Sequence, residues 1–343
     1  MIRFATGWKE DVAADEEARF ERQAQDLVAI QAGRDAKYGE KARALHRKVI
    51  GGFAAEFVVR DDLATVLPDA MQLGPFRPGA RWKAYVRLSN GTWDRNSDKA
   101  PDVRGVAIKL LGVPGVKVLT GSEDPRTQDF LLIAQSSIAA KTSDEFVALA
   151  KVASTGSQAT VPLRLAFALG PLRAFAIVSA FVKTSRVPFA GFPGGTYYTA
   201  TPYELGPAAV KYRIVPRAEV PTPAPDRDMY GAQARILARS GFTWDFQVQA
   251  WQDAARTPIE DPSVEWTDVD APFVTVASLV VTAQDADAEA GKSLAATIES
   301  LVFDPWHACV GMRPLGGINR ARKAAYYASA QSRGAAPDPS EAP

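Results

Sequence analysis

The sequence predicts an α+β protein organised around an antiparallel sheet or barrel, with helices at both ends of the chain. Short apolar segments with β-type alternation, bounded by Pro, Gly and Asn, recur along the chain, whereas its two ends show helical periodicity. A βαβ alternation is not apparent. Neither a GxGxxG nor a phosphate-loop sequence occurs, so a nucleotide cofactor has no support.

Composition narrows the class of protein. The 343 residues are 47% hydrophobic and 23% charged, which is typical of a globular chain with a large core. A formal net charge of +1 gives no indication of nucleic acid or an acidic membrane surface as the main partner. Cys309 is the single cysteine, so an intrachain disulfide is excluded, and two histidines cannot form a multi-histidine metal site.

The first half of the chain predicts a helix followed by strands. Residues from about Asp11 to Arg43 carry apolar side chains at helical spacing. Four strand segments follow, the first of them bent at Gly51 and Gly52: 45–63, 80–91, 103–112 and 129–136. A helix with a Ser/Thr cap is expected over 142–153. The N-terminus lacks the apolar core of a secretory signal, so a cytoplasmic location is expected.

The most apolar stretch runs from Val161 to Val182. Arg164 and Arg173 are costly in hydrocarbon, and Gly170–Pro171 divides the stretch into pieces too short to span a membrane. We therefore predict two short buried or interfacial helices. Plain core helices and a lid over an apolar substrate channel are both open interpretations.

The rest of the chain returns to strands and ends in helices. Strand patterns occupy 195–216, 242–253 and 272–285, and a helix is expected over 285–303. Asn319 is expected to cap a final helix, because Pro314 and the glycines after it disfavour regular structure. The tail, residues 335–343, is rich in Pro and small residues and is expected to be disordered.

The final helix carries a pattern with chemical meaning. Arg322 and Tyr326 are four residues apart and share a helix face, with Arg333 two turns further on. A guanidinium close to a phenol favours the phenolate, and tyrosine is one of the axial ligands that proteins use for haem iron. The alternative is a surface helix in which the tyrosine packs on an arginine stem.

Segments in the order RALHRK, YVRLSNG, DVRGVAIK and NRARKAAYY resemble the haem-dependent catalase superfamily, in particular its small, catalase-related members. The resemblance covers residues from about 40 to 335. It implies an antiparallel β-barrel of about eight strands enclosing haem, with flanking helices. It further implies one catalase-like domain over residues 1–334, without a flavodoxin-like C-terminal domain.

The matched residues fall into four groups: Arg43, His46 and Lys48; Arg87 and Ser89; Arg104, Gly105 and Lys109; Arg322, Tyr326 and Arg333. The resemblance implies that Tyr326 is the ligand to the iron of haem b and that Arg322 stabilises its negative charge. It also implies that three arginines bind the haem propionates, namely Arg43, Arg87 and Arg333.

On the distal side, the resemblance implies that His46 is the general base and then acid, with Ser89 fixing its tautomer. The distal asparagine of catalases aligns near Thr127 or Gln128, so that this hydrogen-bond donor is replaced or moved. Rapid dismutation of hydrogen peroxide is therefore not expected. Leu45 stands where allene oxide synthases tend to carry Thr, which argues against that chemistry.

The leading functional hypothesis is a haem peroxidase that reduces hydrogen peroxide or organic hydroperoxides, including those of fatty acids, with a small organic reductant and weak catalase activity. One alternative is a specialised haem enzyme that rearranges or oxidises a metabolite. Another is a haem- or lipid-carrying barrel without turnover. His307 is expected to be structural, donating to a backbone carbonyl. The sequence leaves a homodimer open.

Overall fold

The computed structural model describes residues 4–120, 126–155, 157–185 and 189–339. Its strands coincide with the segments of β-type alternation, because alternate side chains enter one apolar core. The strands are β1 Lys48–Val59, β2 Arg81–Asn90, β3 Arg104–Leu111, β4 Thr127–Ile133, β5 Tyr197–Tyr198, β6 Tyr203–Leu205, β7 Ala208–Pro216, β8 Phe242–Ala250 and β9 Phe273–Val281.

The strands close into an antiparallel barrel. Their order is β5-β4-β3-β2-β1-β9-β8-β7, and β5 pairs with β7 to complete a ring of eight, while β6 pairs with the first residues of β7. The closing strand is short: Tyr198 pairs with Ile133 of β4 and with Arg213 of β7. Strand β1 has a register irregularity between Val49 and Gly51, where a bent strand was predicted. The α+β class and the eight-stranded barrel are thus confirmed.

Aromatic side chains fill the barrel interior. Phe57, Phe130 and Phe246 form a mutual cluster with ring centroids 4.9–6.4 Å apart, and Phe76 and Tyr212 pack against it. These residues are fully or almost fully buried. The centre of the barrel is therefore packed protein core.

Helices cover the outside of the barrel. In the described part of the chain they are α1 Glu16–Tyr38, α2 Ser143–Ser154, α3 Val161–Leu169, α4 Pro171–Ser185, α5 Met229–Ala238, α6 Glu289–Ser300 and α7 Gly317–Arg333. The first helix is shorter at both ends than the predicted 11–43. Helix α2 is capped as predicted, because Thr142 Oγ1 accepts from Glu145 N at 3.3 Å. Helices α1 and α7 pack together, and α2 packs on α1.

Helix α7 begins three residues earlier than predicted, at Gly317 and not at Arg320. Gly316 precedes it with φ +87°, a conformation that glycine adopts without strain, and the N–H of Gly317 donates to the Glu260 carboxylate at 2.6 Å. Asn319 lies inside the helix, and its side-chain amide donates to the carbonyls of Pro202 and Leu315. The predicted Asn319 cap was therefore wrong, because a distant carboxylate supplies the cap instead.

The C-terminal tail is more ordered than predicted. Ala336 pairs with Leu301, and the carboxylate of Asp338 is buried 2.7 Å from Lys109 Nζ. The disorder predicted from residue 335 onwards therefore does not describe residues 335–339, which an ion pair holds against the barrel. Residues 340–343 lie outside the described part of the chain.

The apolar stretch forms two helices, as predicted, with a small core of its own. Leu165 of α3 and Ala174 and Ile177 of α4 are buried in it. No helix in the described ranges is both long enough and apolar enough to cross a membrane.

Candidate functional site

An apolar cavity lies between the barrel wall and helix α7. Its floor is the outer face of β2, β3 and β4, where Arg87, Ala107 and Leu131 lie side by side in register. Helices α1, α2 and α7 form the other walls. Aromatic side chains occupy the barrel interior, so this cavity lies outside the barrel. That the barrel encloses haem stays a prediction.

His46 enters the cavity from the barrel side. Its Nδ1 lies 3.0 Å from Ser89 Oγ, so Nε2 is the ring nitrogen that Ser89 leaves free. The residue has φ +56°, an uncommon conformation for a side chain other than glycine and one that clusters at functional sites. Gly105 makes room for it, since a Cβ at that position would lie 2.4 Å from His46 Cε1. The backbone, the serine and the glycine together hold the imidazole in one place.

The surroundings of His46 favour its neutral form. Burial lowers the pKa of His46 to about 3, and the positive charges of Arg87, Arg322 and Arg43 contribute to this shift. An uncharged imidazole whose Nδ1 donates to Ser89 has a lone pair available on Nε2. That is the protonation state a general base requires.

Tyr326 enters the cavity from helix α7. Arg322 Nη2 donates to Tyr326 Oη at 3.0 Å, one helical turn away, while Arg322 Nη1 donates to Asn319 Oδ1 at 3.0 Å. Burial opposes the charge on Arg322, but the neighbouring phenol oxygens of Tyr326 and Tyr203 outweigh it and raise the pKa of Arg322. The neighbouring Tyr327 points away and is 67% exposed. The arginine is thus a permanent cation next to one phenol of the cavity.

Three arginines gather at one edge of the cavity around a single carboxylate. Arg87 Nε donates to Glu299 Oε2 at 2.6 Å, and Arg43 Nη1 donates to Glu299 Oε1 at 2.5 Å. Arg43 and Arg333 each donate to the carbonyl of Leu301 at 2.7 Å. Burial alone would raise the pKa of Glu299, but Arg87 and Arg43 hold it below its usual range. This edge has more positive than negative charge, which suits an anionic ligand.

Several predicted residues lie elsewhere. Thr127 and Gln128 are not among the residues that line the cavity. Thr127 Oγ1 donates to Asp338 Oδ2 at 2.7 Å, and Gln128 Oε1 accepts from the N–H of Cys309 at 2.9 Å. The Thr127 hydroxyl and the side-chain oxygen of Gln128 are thus used in structural contacts, and neither residue lines the cavity with His46. Lys48, which the resemblance also matched, forms an ion pair with buried Asp98 at 2.9 Å.

The other histidine belongs to a buried ionic cluster near the cavity. His307 Nδ1 lies 2.8 Å from Asp338 Oδ2, and Lys109 Nζ lies 2.8 Å from both carboxylate oxygens of Asp129. The predicted partner of His307, a backbone carbonyl, was wrong, because the folded tail delivers a carboxylate to it. Lys109 is completely buried and balanced by the two aspartates.

Two residues that shape the site were not singled out by sequence reasoning. Glu299 lies in a region of helical pattern, and only the fold brings its carboxylate to the arginines. Gly105 was matched by resemblance without a role, and the reason for glycine appears only when His46 is seen against it. A glycine at the start of a strand, as in Arg104–Gly105, indicates close packing at that position. It does not indicate that the side chain packed there is His46.

No family model matches the sequence, and no curated protein matches it. Among solved structures, catalase A from Saccharomyces cerevisiae aligns over 96% of this chain and 68% of its own, with a TM-score of 0.68 and 16% identity. A fungal catalase aligns over 96% of this chain and 65% of its own, with a TM-score of 0.66 and 16% identity. A bacterial catalase aligns over 97% and 63%, with a TM-score of 0.66 and 15% identity.

These alignments show that the chain has a catalase-like fold, as the resemblance implied. The chain spans about two thirds of the length of those catalases. Sequence identity of 15–16% carries the fold and leaves the activity to be argued from the site.

The residues around the cavity fit a haem. A phenol beside a permanent cation lies on one wall, and a neutral imidazole comes from another. The floor is apolar, which suits a porphyrin face, and the excess positive charge at one edge suits two propionates. Each of these features follows from the protein groups present.

Proposed function

We propose that the protein is a haem-dependent hydroperoxidase that reduces hydrogen peroxide or organic hydroperoxides at the expense of a small organic reductant. One observation carries the proposal: a positioned, neutral His46 and an arginine-bound Tyr326 line the same cavity. A carrier without turnover would have no use for an acid–base group held in this way.

In this proposal Tyr326 would hold the haem iron through its phenol oxygen, and Arg322 would stabilise the phenolate charge. Arg43, Arg87 and Arg333 would bind the propionates of haem b. Haem bound here would supply the redox chemistry of peroxide reduction.

His46 moves the proton. Its Nε2 accepts the proton of the hydroperoxide from the oxygen that carries it and then returns that proton to the other oxygen. The O–O bond breaks with release of water or an alcohol, and the remaining oxygen leaves as water once the organic reductant has supplied two electrons and two protons. Ser89, accepting from Nδ1–H, keeps Nε2 unprotonated before the transfer and stabilises the imidazolium during it.

The lining of the cavity supports organic hydroperoxides as substrates. Leu27 of α1 and Phe146 and Val147 of α2 contribute apolar walls on the side opposite the barrel. Thr127 and Gln128 do not line the cavity and supply no further donor there for positioning a second hydrogen peroxide. These observations support peroxidase over catalase turnover.

Two measurements test the proposal. The absorbance spectrum of purified protein supplied with haemin should show a Soret band of high-spin, tyrosine-ligated ferric haem. Steady-state turnover should then be compared for hydrogen peroxide, cumene hydroperoxide and a fatty-acid hydroperoxide, with and without a phenolic reductant. We expect reductant-dependent turnover that exceeds oxygen release. A protein that binds no haem, or one that releases oxygen rapidly without oxidising the phenol, would overturn the proposal.

A further inference from the structure

The most exposed large apolar side chains on neighbouring elements lie on helices α3 and α4. These helices pack against each other and are joined at Gly170, and we call residues 161–185 the apolar hairpin. Its outward side chains are between 61% and 87% exposed: Leu163, Phe167, Leu172 and Phe175. Soluble surfaces carry single exposed apolar residues, but a group of this kind marks a contact surface.

Helical spacing places these side chains on the outward faces. Leu163 and Phe167 are four residues apart, and Leu172 and Phe175 are three apart, so each pair shares one face of its helix. Phe167 and Leu172 lie on either side of the turn at Gly170. The opposite faces are buried in the hairpin's own core with α2. The exposed residues therefore take no part in the buried core of the hairpin.

The cavity does not explain the exposed residues. None of the described hairpin residues lines it, so the interpretation of this stretch as a lid has no support from the geometry. Helix α2 lies between the two, with Phe146 and Val147 facing the cavity. The hairpin is thus one helix away from the cavity and faces outward.

The charge of the hairpin indicates what covers it. Residues 161–185 contain Arg164, Arg173 and Lys183 but neither Asp nor Glu. Arg173 is paired with Glu145, whereas the guanidinium of Arg164 donates to the hydroxyls of Thr155 and Thr160 and to a carbonyl. The chain-wide charge of +1 hides this local excess. Two copies of such a face would repel, while a negatively charged surface would attract it.

We propose that the apolar hairpin docks on an anionic lipid bilayer. Leu163, Phe167, Leu172 and Phe175 would enter the boundary between headgroups and acyl chains, and Arg164 would lie among the phosphates. Because no described helix can cross a membrane, the hairpin lies in the interface. Docking does not depend on the proposed enzymatic function. Where both hold, α2 would place the cavity close to a source of lipid hydroperoxides.

Vesicle binding tests the docking. The full-length protein is sedimented with vesicles of phosphatidylcholine alone and of phosphatidylcholine containing phosphatidylglycerol, at low and high salt. We expect binding to the anionic vesicles that weakens as salt rises. The double variant Phe167→Ser, Leu172→Ser should bind at least about tenfold more weakly, since two large apolar side chains would no longer be buried in the bilayer. Both side chains are highly exposed, so the fold should tolerate the change.

A matched control comes from an exposed valine outside the hairpin. Val269 is 94% exposed on a loop, and Val269→Ser should leave vesicle binding unchanged. Tryptophan introduced by Phe167→Trp should show a blue-shifted emission on addition of anionic vesicles, whereas Val269→Trp should not. Arg164→Gln, combined with Phe167→Trp, should weaken binding to the anionic vesicles. The protein that still binds should show the same blue shift of its tryptophan emission.

Two results would overturn the docking. One is equal vesicle binding by the wild type and the double variant. The other is absence of vesicle binding by the wild type. If that wild type sediments as a dimer and the double variant sediments as a monomer, the face binds a second copy of the chain.

Discussion

The two histidines of this chain occupy opposite electrostatic environments. His46 lies among Arg43, Arg87 and Arg322, and its pKa is lowered to about 3, with burial as the main cause. For His307, burial also disfavours the charge, but Asp129 and Asp338 outweigh it and raise the pKa to about 10. Near neutral pH the first is an uncharged base and the second a permanent cation.

The contrast shows what would separate the proposed catalytic histidine from a structural one. His46 has one hydrogen-bonded ring nitrogen and a second that faces a cavity, while His307 is neutralised by carboxylates that also bind Lys109. Burial is similar for both, so the sign of the neighbouring charges decides the protonation state.

The largest expected effect is on haem binding. Tyr326→Phe should abolish or grossly alter the Soret band, because the phenol oxygen beside Arg322 is the proposed iron ligand. Tyr327→Phe, at the exposed neighbouring position, should retain the spectrum. His307→Gln should retain it as well, since His307 belongs to the ionic cluster. A normal spectrum for Tyr326→Phe with an altered one for Tyr327→Phe would reverse the assignment.

The next effect separates chemistry from haem retention. His46→Asn should keep a Soret band and lose peroxide-driven oxidation by ~10²–10⁴-fold, the usual contribution of a positioned acid–base group. Asparagine is chosen because it tolerates the positive φ of this position. Steady-state oxidation of a phenolic dye measures the loss.

Gly105→Ala is a second route to the same site. The added Cβ would meet the His46 ring at 2.4 Å, so the imidazole must move away from Ser89. We expect haem to be retained and dye oxidation to fall, by less than in His46→Asn. Retention of more than a tenth of wild-type activity in His46→Asn would remove His46 from the mechanism, whatever Gly105→Ala does.

A smaller effect concerns the pH dependence of stability of the haem-free protein. The lowered pKa of His46 means that its contribution is present above the unfolded value of ~6.5 and is lost as the pH falls towards about 3. The raised pKa of His307 means that its contribution is complete below ~6.5 and is lost as the pH rises towards about 10. Each group alone changes the unfolding free energy by up to ~1.4 kcal/mol per pH unit.

Urea unfolding at a series of pH values measures both contributions. His46→Asn should flatten the acidic side of the stability profile, between pH 6.5 and about 3. His307→Gln should flatten the alkaline side, between pH 6.5 and about 10. Each variant is the control for the other, and the same change in both would contradict the contrast.

The predictable and unpredictable features differ in physical range. Strands β1 to β4 and helix α2 follow from alternation, glycine and a local cap, all of which are encoded within a few residues. The pair Arg322 and Tyr326 is likewise local, since four residues on a helix define a contact. Predicting the candidate site also required the match of several motifs in order, because the sequence around His46 does not predict its contact with Ser89.

Features that depend on long-range partners were not predictable. Glu299 reaches Arg87 across more than two hundred residues of chain, and Asp338 reaches Lys109 in the same way. The composition of a Pro-rich tail predicts disorder, and the ion pair that Asp338 forms with buried Lys109 is not visible in the sequence. The position of the cavity outside the barrel depends on which strand face the aromatic residues fill, and alternation alone does not tell the two faces apart.

The smallest expected effect is at Thr127, where sequence alignment and geometry disagree. Alignment places Thr127 or Gln128 near the distal asparagine of catalases, so an asparagine introduced there would raise oxygen release from hydrogen peroxide. In the structure Thr127 donates to Asp338 at 2.7 Å, on the side of the His307 cluster, and lines no part of the cavity.

Thr127→Asn should therefore leave oxygen evolution and dye oxidation unchanged. It should lower the unfolding free energy by ~0.5–1.5 kcal/mol, the usual contribution of one hydrogen bond. Gln128→Asn is the matched variant, because its side chain accepts from the N–H of Cys309 at 2.9 Å and likewise lines no part of the cavity. An oxygen electrode and urea unfolding measure the two properties. A several-fold rise in oxygen release from Thr127→Asn alone would show that this side chain reaches the peroxide. The His307 cluster, which contains Asp338, would then be part of the proposed active site and not only structural.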